Sequence, residues 1–164
     1  MAPSRPIPSR MSEAYNTFSD DDVRYMRMAL QEAERAAELD EVPVGAVIVA
    51  NGQVIARAHN LCERLRDFTA HAEMQAFTSA SEFLGGKFLD KCTLYVTLEP
   101  CPMCAGAAYW TRIGRVVYGA KDDKRGHSKF DGELTVLHPK TQCEGGLLAE
   151  EAAALLTNFF KAKR

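Results

Sequence analysis

The chain has little of what would mark a secreted or membrane protein. No apolar run among its 164 residues approaches the ~20 needed to span a bilayer. The Pro-, Ser- and Arg-rich stretch from Met1 to Thr17 has no apolar core of the kind a secretory signal needs. Charge of one sign is also scarce. With a net charge of −2, no general polyanion-binding surface is expected, so any nucleic-acid contact must come from a local basic patch. Cysteines number five, an odd count, and only Cys101 and Cys104 form a Cys-x-x-Cys pair; Cys62, Cys92 and Cys143 stand singly. That pattern gives no second pair for a closed structural metal site and points to a reducing, cytoplasmic compartment. There is no internal repeat and no interdomain linker.

With 46% hydrophobic and 26% charged residues, the composition is that of one soluble globular domain. That domain is expected over 19–164, preceded by a disordered leader over 1–18. Ser19-Asp20-Asp21-Asp22 reads as a capping box. Val23, Met26, Leu30, Ala33 and Ala37 then recur at helical spacing, which predicts a helix to about Leu39. Val44 to Ala50 is a nearly continuous apolar strand. Asn51-Gly52 makes a two-residue hairpin turn, and Gln53 to Ala58 returns as its partner. Thr69 is expected to cap a helix that buries Ala76, Phe77, Ala80 and Leu84 and stops at Gly85-Gly86. A strand over Thr93 to Thr97, a helix over Pro102 to Trp110 and a strand over Arg115 to Gly119 imply a right-handed crossover and a parallel pair. Leu134 to Leu137 reads as a short fifth strand and Gly145-Gly146 as a break. A last helix carries Leu148, Ala152, Leu155, Leu156 and Phe159 on one stripe. The fold class that follows is α/β, a three-layer α/β/α sandwich around a mixed sheet.

The chemistry concentrates in His71-Ala72-Glu73 and Pro100-Cys101-Pro102-Met103-Cys104. Thiols at i and i+3 in the opening turn of a helix can face one metal ion, and the free N–H groups there favour the thiolate form. A histidine as third ligand leaves a tetrahedral zinc ion one open position. A redox pair would leave His71 and Glu73 without a role. Regular helix geometry places His71 and Glu73 about 200° apart, so their convergence does not follow from spacing. His59 is expected to be an ordinary surface or core histidine.

His-x-Glu followed by Pro-Cys-x-x-Cys is the signature of the zinc nucleobase deaminases. From about Asp22 to Arg164 the chain resembles the cytidine-deaminase superfamily, and most of all its bacterial tRNA-specific adenosine deaminases. The resemblance is carried by Glu41 to Val47, Thr69 to Glu73, Thr97 to Gly106, Arg112 to Ala120 and the closing Leu148 to Arg164. It implies one zinc ion per chain on His71, Cys101 and Cys104, with Glu73 as general acid and base. It further implies Asn60 as a substrate hydrogen-bonding residue, Val44 and Ala72 as pocket lining, Asp122 in a loop near the substrate, and a homodimer. The implied reaction is adenosine-to-inosine conversion at the wobble position of a tRNA anticodon loop. Phe68 stands where that family usually has proline, and Ala152 to Ala154 lacks its cysteine. The 126–141 segment is short for it, and Tyr109-Trp110 is similar to the guanine deaminases. Deamination of a free base or nucleoside, guanine or cytosine among them, is therefore the alternative. A non-catalytic zinc scaffold is a third reading, against which Glu73 argues. Lys121, Lys124, Arg125, His127 and Lys129 form the candidate basic patch for RNA phosphates.

Overall fold

The computed structural model describes residues 18–164, so the leader expected over 1–18 lies, apart from Phe18, outside the described residues. Helix α1 (Asp20–Glu38) begins at the expected capping box. The Ser19 side chain accepts the Asp22 N–H, and the Asp22 side chain accepts the Ser19 N–H. Strands β1 (Gly45–Ala50) and β2 (Gln53–His59) form the expected hairpin. Asn51 and Gly52 between them adopt positive φ values of 51° and 71°, as a tight turn of this hand requires. A short helix α2 (Cys62–Leu65) leads to α3 (Ala72–Leu84). Strand β3 (Cys92–Leu98), helix α4 (Pro102–Thr111) and strand β4 (Arg115–Ala120) make the crossover. A 3-10 turn (His127–Phe130), strand β5 (Gln142–Gly145) and helix α5 (Ala149–Ala162) complete the chain.

The sheet is five-stranded, in the order β2-β1-β3-β4-β5. β1 is antiparallel to both β2 and β3, whereas β4 is parallel to both β3 and β5. Alternation along β1 sorts its side chains between two cores. Val47 and Val49 face α1, joined by Tyr25, Met26, Tyr95 and Val117. Ala46 and Ile48 face the other way, into a cluster with Phe77 and Ala80 of α3 and Ala105 and Ala108 of α4. α5 packs beside α1 through Ala152, which clusters with Leu30 and Ala120. The expected three layers are present, with α1 and α5 on one face and α3 and α4 on the other. α1 lies so close to β1 that a Cβ on Gly45 would sit 2.0 Å from the Ala29 carbonyl oxygen. No side chain fits there.

Three local expectations are corrected. Thr69 does not cap α3: its hydroxyl donates to Asp67 at 2.6 Å, and the N-cap is His71. Leu84 is 45% exposed rather than core, because it sits in the last turn before Gly85 leads the chain away. Leu134 to Leu137 is not a strand. There the Asp131 carboxylate accepts the Val136 N–H at 2.9 Å, and the Thr135 hydroxyl donates to the Leu137 carbonyl at 2.7 Å. Local side-chain bonds have thereby taken up backbone groups that a ladder would use. The fifth strand is instead Gln142–Gly145, an edge strand whose polar sequence hides it, and Gly146, with φ 97°, makes the break.

One buried ion pair ties the elements together. Arg115 of β4 donates to both oxygens of Asp22 at 2.8 and 3.0 Å, and the Tyr95 hydroxyl donates to Asp22 at 2.6 Å. Arg115 also reaches Glu144 of β5. Burial alone would raise the Asp22 carboxyl. Hydrogen bonds from Arg115, Tyr95 and the Ser19 N–H outweigh burial and bring it down from 3.8 to about 2. The folded value lies below the unfolded one, so the carboxylate stabilises the fold above about pH 4, by on the order of 2 kcal/mol. That contribution is lost as pH falls through about 2. Asp22→Asn is expected to destabilise the protein by about 2 kcal/mol at neutral pH, because it removes the charged acceptor of the partly buried Arg115 and leaves it with Glu144 alone. Its stability should then fall less than wild type's between neutral pH and about pH 3, which urea melts at the two pH values measure.

Candidate active site

Two helix N-termini meet at one point. His71 is the N-cap of α3 and Cys101 the N-cap of α4, both with extended backbones and neither making a side-chain capping bond. The cap position that Ser or Asp would normally fill is given to a metal-type ligand instead. At the N-cap, His71 has φ −66° and ψ 156°, so it stands outside the helical repeat. This removes the 200° obstacle: Glu73, inside the first turn, and His71, before it, turn toward the same space. His71 Nδ1 lies 3.6 Å from Cys101 Sγ and 3.5 Å from Cys104 Sγ. One donor atom from each of these three residues falls within 4.8 Å of the others, close enough for a single metal ion to be held by all three.

The electrostatics fit that use. The Cys101 thiol is held down to about 4, chiefly by a hydrogen bond from Cys104, with burial opposing and His71 assisting. Cys104 moves up in return, because it is the donor of that bond and is itself buried. His71 is raised by its hydrogen bond with Cys101, against burial. Glu73 is almost wholly buried, and that burial raises its carboxyl. A buried carboxyl whose hold on its proton is raised, beside a thiol and an imidazole, is suited to taking and returning protons.

The cluster lies in a cavity of about 730 Å³. Val44, Asn60, Ala72 and Asp122 all line it, alongside His71, Glu73 and Cys101. Every candidate residue except Cys104, buried behind the others, thus reaches the same space. Asn60 Oδ1 also accepts the Cys62 N–H at 3.4 Å. Asp122 has a local task as well, accepting the Lys124 and Arg125 N–H groups at 3.1 and 3.0 Å. The expected basic patch is smaller than the sequence implied. His127 is buried, 3.7 Å from Glu99 and 4.0 Å from Cys143, so it offers no surface charge. His59, as expected, has no part in the cluster; it pairs with the buried Glu32 at 3.2 Å.

Two wall-forming residues escaped the sequence reading. Glu41, fully buried, accepts the Glu63 and Arg64 N–H groups of α2 at 3.1 and 2.7 Å. Glu99, also buried, accepts the Asp122 and Ser128 N–H groups at 3.2 and 3.1 Å and the Ser128 hydroxyl at 2.6 Å. Each carboxylate pins from inside the loop that forms one side of the cavity. The available signal was an acidic residue directly flanking an apolar strand segment, Glu41 before Val42-Pro43-Val44 and Glu99 after Tyr95 to Leu98. The cations that this anchoring sets on the wall are Arg64 and Arg125; Lys163, just past the end of α5, also lines the cavity but pairs with Asp40.

A mixed sheet of this order, with a His/Cys/Cys cluster and a buried glutamate at two converging helix N-termini, is the frame of a deaminase of the cytidine-deaminase-like class. The chain belongs to the MafB19-like deaminase family, which it matches over residues 20–164. It is 46% identical over 149 residues to a tRNA-specific adenosine deaminase of Bacillus subtilis (strain 168), covering 87% of this chain and 91% of that one. A solved structure from work on A-to-I editing by tRNA:A34 deaminases superposes with a TM-score of 0.76 at 44% identity. The match covers 81% of this chain and 99% of the other. A guanine deaminase structure from Bacillus subtilis gives a TM-score of 0.59 at 36% identity over 69% and 68% of the two chains. The protein is a hydrolytic deaminase.

The Glu99 anchor generates a test of the wall. Glu99→Ala removes the acceptor for two N–H groups and a hydroxyl. Each donor left unpaired costs about 1–3 kcal/mol. Hydrogen exchange should accelerate at the Asp122 and Ser128 amides by roughly tenfold or more, while the α1 amides stay protected.

Proposed function

We propose that this protein converts adenosine to inosine at the wobble position of a tRNA, with the target base splayed into the cavity. The observation that carries the reading is the combination in one cavity of the His/Cys/Cys cluster and buried Glu73 with a wall bearing Arg64 and Arg125. A free base needs no cations at the wall, whereas an anticodon loop brings phosphates to it. The 46% identity to a protein named for tRNA adenosine deamination supports the same substrate.

His71, Cys101 and Cys104 are the residues that would hold the metal, and zinc fits them. Tetrahedral coordination with Zn–S near ~2.3 Å and Zn–N near ~2.05 Å sets nitrogen and sulfur about 3.6 Å apart. The His71–cysteine separations are 3.5 and 3.6 Å. When bound, such an ion makes hydroxide available from water at neutral pH. Glu73 accepts one proton from the attacking water and passes it to the purine N1 as the C–O bond forms at the amino-bearing carbon; it then takes the second proton from the new hydroxyl and hands it to the amino group, which leaves as ammonia as the C–N bond breaks. Val44 and Ala72 shape the apolar walls around the base, and Asn60 orients the substrate by hydrogen bonding. Asp122 holds the Arg125 backbone toward the mouth. We read the assembly as a cytoplasmic homodimer. All five cysteines are free, and no helix among the described residues is long and apolar enough to cross a membrane.

Cys101→Ala and Cys104→Ala should each lose bound zinc and activity together, as elemental analysis of the purified variants would reveal. Glu73→Gln should keep its zinc while turnover falls by roughly 10² or more. Reversing the charges of Lys124 and Arg125 should weaken binding of an anticodon stem-loop and flatten its salt dependence. Efficient ammonia release from free guanine or cytosine, with no inosine formed in the stem-loop, would replace this reading with that of a free-base deaminase.

A further inference from the structure

Phe68 is 90% exposed, the largest exposure among the big apolar side chains of the described residues. It lines the same cavity as His71 and Glu73, and shares that lining with Arg64. The backbone that presents it is tightly bonded. The Asp67 N–H donates to the Cys62 carbonyl at 2.9 Å, the Ala70 N–H to the Asp67 carbonyl at 3.1 Å and the Leu61 N–H to the Ala70 carbonyl at 3.0 Å. The Asp67 carboxylate accepts both the Thr69 N–H at 2.8 Å and the Thr69 hydroxyl at 2.6 Å. The Cys62 thiol closes the turn on the Phe68 carbonyl at 3.8 Å. The turn thus holds an aromatic ring out in water, three residues before His71 in the chain. Hydrophobic burial within the chain does not account for it. A solvent-facing ring on a tightly bonded turn, in a cavity wall that also carries Arg64, has the make-up of a stacking platform for nucleic-acid bases.

We propose that Phe68 is a specificity-determining residue: its ring stacks on a base flanking the target nucleotide and so selects a polynucleotide over a free base or nucleoside. The inference rests on the RNA reading given above and assigns the contact that enforces it. The target base goes down to Glu73 and the cluster, and its neighbour along the strand stays at the mouth, where Phe68 meets it. A free nucleoside has no neighbour to offer.

The test uses the full-length zinc-loaded protein and three forms of one anticodon stem-loop: intact, abasic just 5′ of the target, and abasic just 3′ of it. For the intact loop, Phe68→Ala should raise KM roughly 5- to 150-fold, the range of a single lost base stack, with kcat within about twofold. Phe68→Trp should keep KM near that of the wild type. With one of the two abasic loops, wild type and Phe68→Ala should converge, because the stacking partner is gone for both. An unchanged KM for Phe68→Ala on the intact loop overturns the inference. So does an equal rise on all three loops, or a change in sedimentation coefficient accompanying the rise, since either means that the ring acts through the fold or through subunit contact. A wild-type protein inactive on the intact loop but active on free bases overturns the RNA reading itself, and this inference with it. The two failures are told apart by the wild-type measurement alone.

Discussion

The structure depends on bringing two helix N-termini to one point and leaving both without ordinary caps. Each brings unpaired N–H groups and the positive end of a dipole, which costs free energy unless something negative lies there. The Cys101 thiolate meets that need at α4, and with Cys104, His71 and Glu73 it makes up a set of groups suited to holding a metal and moving protons. The sheet order serves this arrangement. β3 feeds α4 and pairs on one side with β1, against which α3 packs, and on the other with β4, to which α4 returns. The first turns of α3 and α4 are thereby set at the same end of the sheet.

Buried charge elsewhere in the protein divides into two kinds. Asp22 and Arg115 form a compensated pair on the α1 face that clasps α1, β3, β4 and β5. Glu41 and Glu99 work differently, since backbone N–H groups supply most of their partners. A carboxylate satisfied by backbone amides fixes the path of a loop whatever its side chains are. Desolvation penalises all four charged groups, and each is repaid through hydrogen bonds that only the folded chain provides.

Periodicity and turn chemistry exposed most of this fold in advance. The α1 stripe of Met26, Leu30 and Ala33 and the Asn51-Gly52 turn depend on neighbours a few residues away, so a local pattern records them. β5 left no such trace. Gln142 to Gly145 is polar because it is an edge strand, and only the open side of β4 tells where it pairs. Thr69 failed as a cap because α3 starts two residues later than expected for it, with His71 at the N-cap, and its hydroxyl donates to Asp67 instead. Of the site, the His-x-Glu and Cys-x-x-Cys spacings were visible, yet the helical repeat argued against their convergence. What resolved it was the extended backbone of His71, a single ψ angle that no spacing rule encodes. The removal of His127 from the basic patch was equally hidden, for burial beside Glu99 is a long-range fact.

The anchoring of both cavity walls by Glu41 and Glu99 has a consequence for how such an enzyme can change. The attachment points are mostly main-chain amides, whereas the side chains of Arg64 and Arg125, which line the cavity from the two anchored segments, and of Phe68, on the adjoining turn, take no part in that attachment. Replacing one of those three leaves the attachment intact, and the reactive cluster, held on separate helices, is not disturbed. Recognition and chemistry are then separately inheritable. Drift at a few outward positions can move the protein toward a new substrate while deamination continues throughout, with no non-functional step to cross.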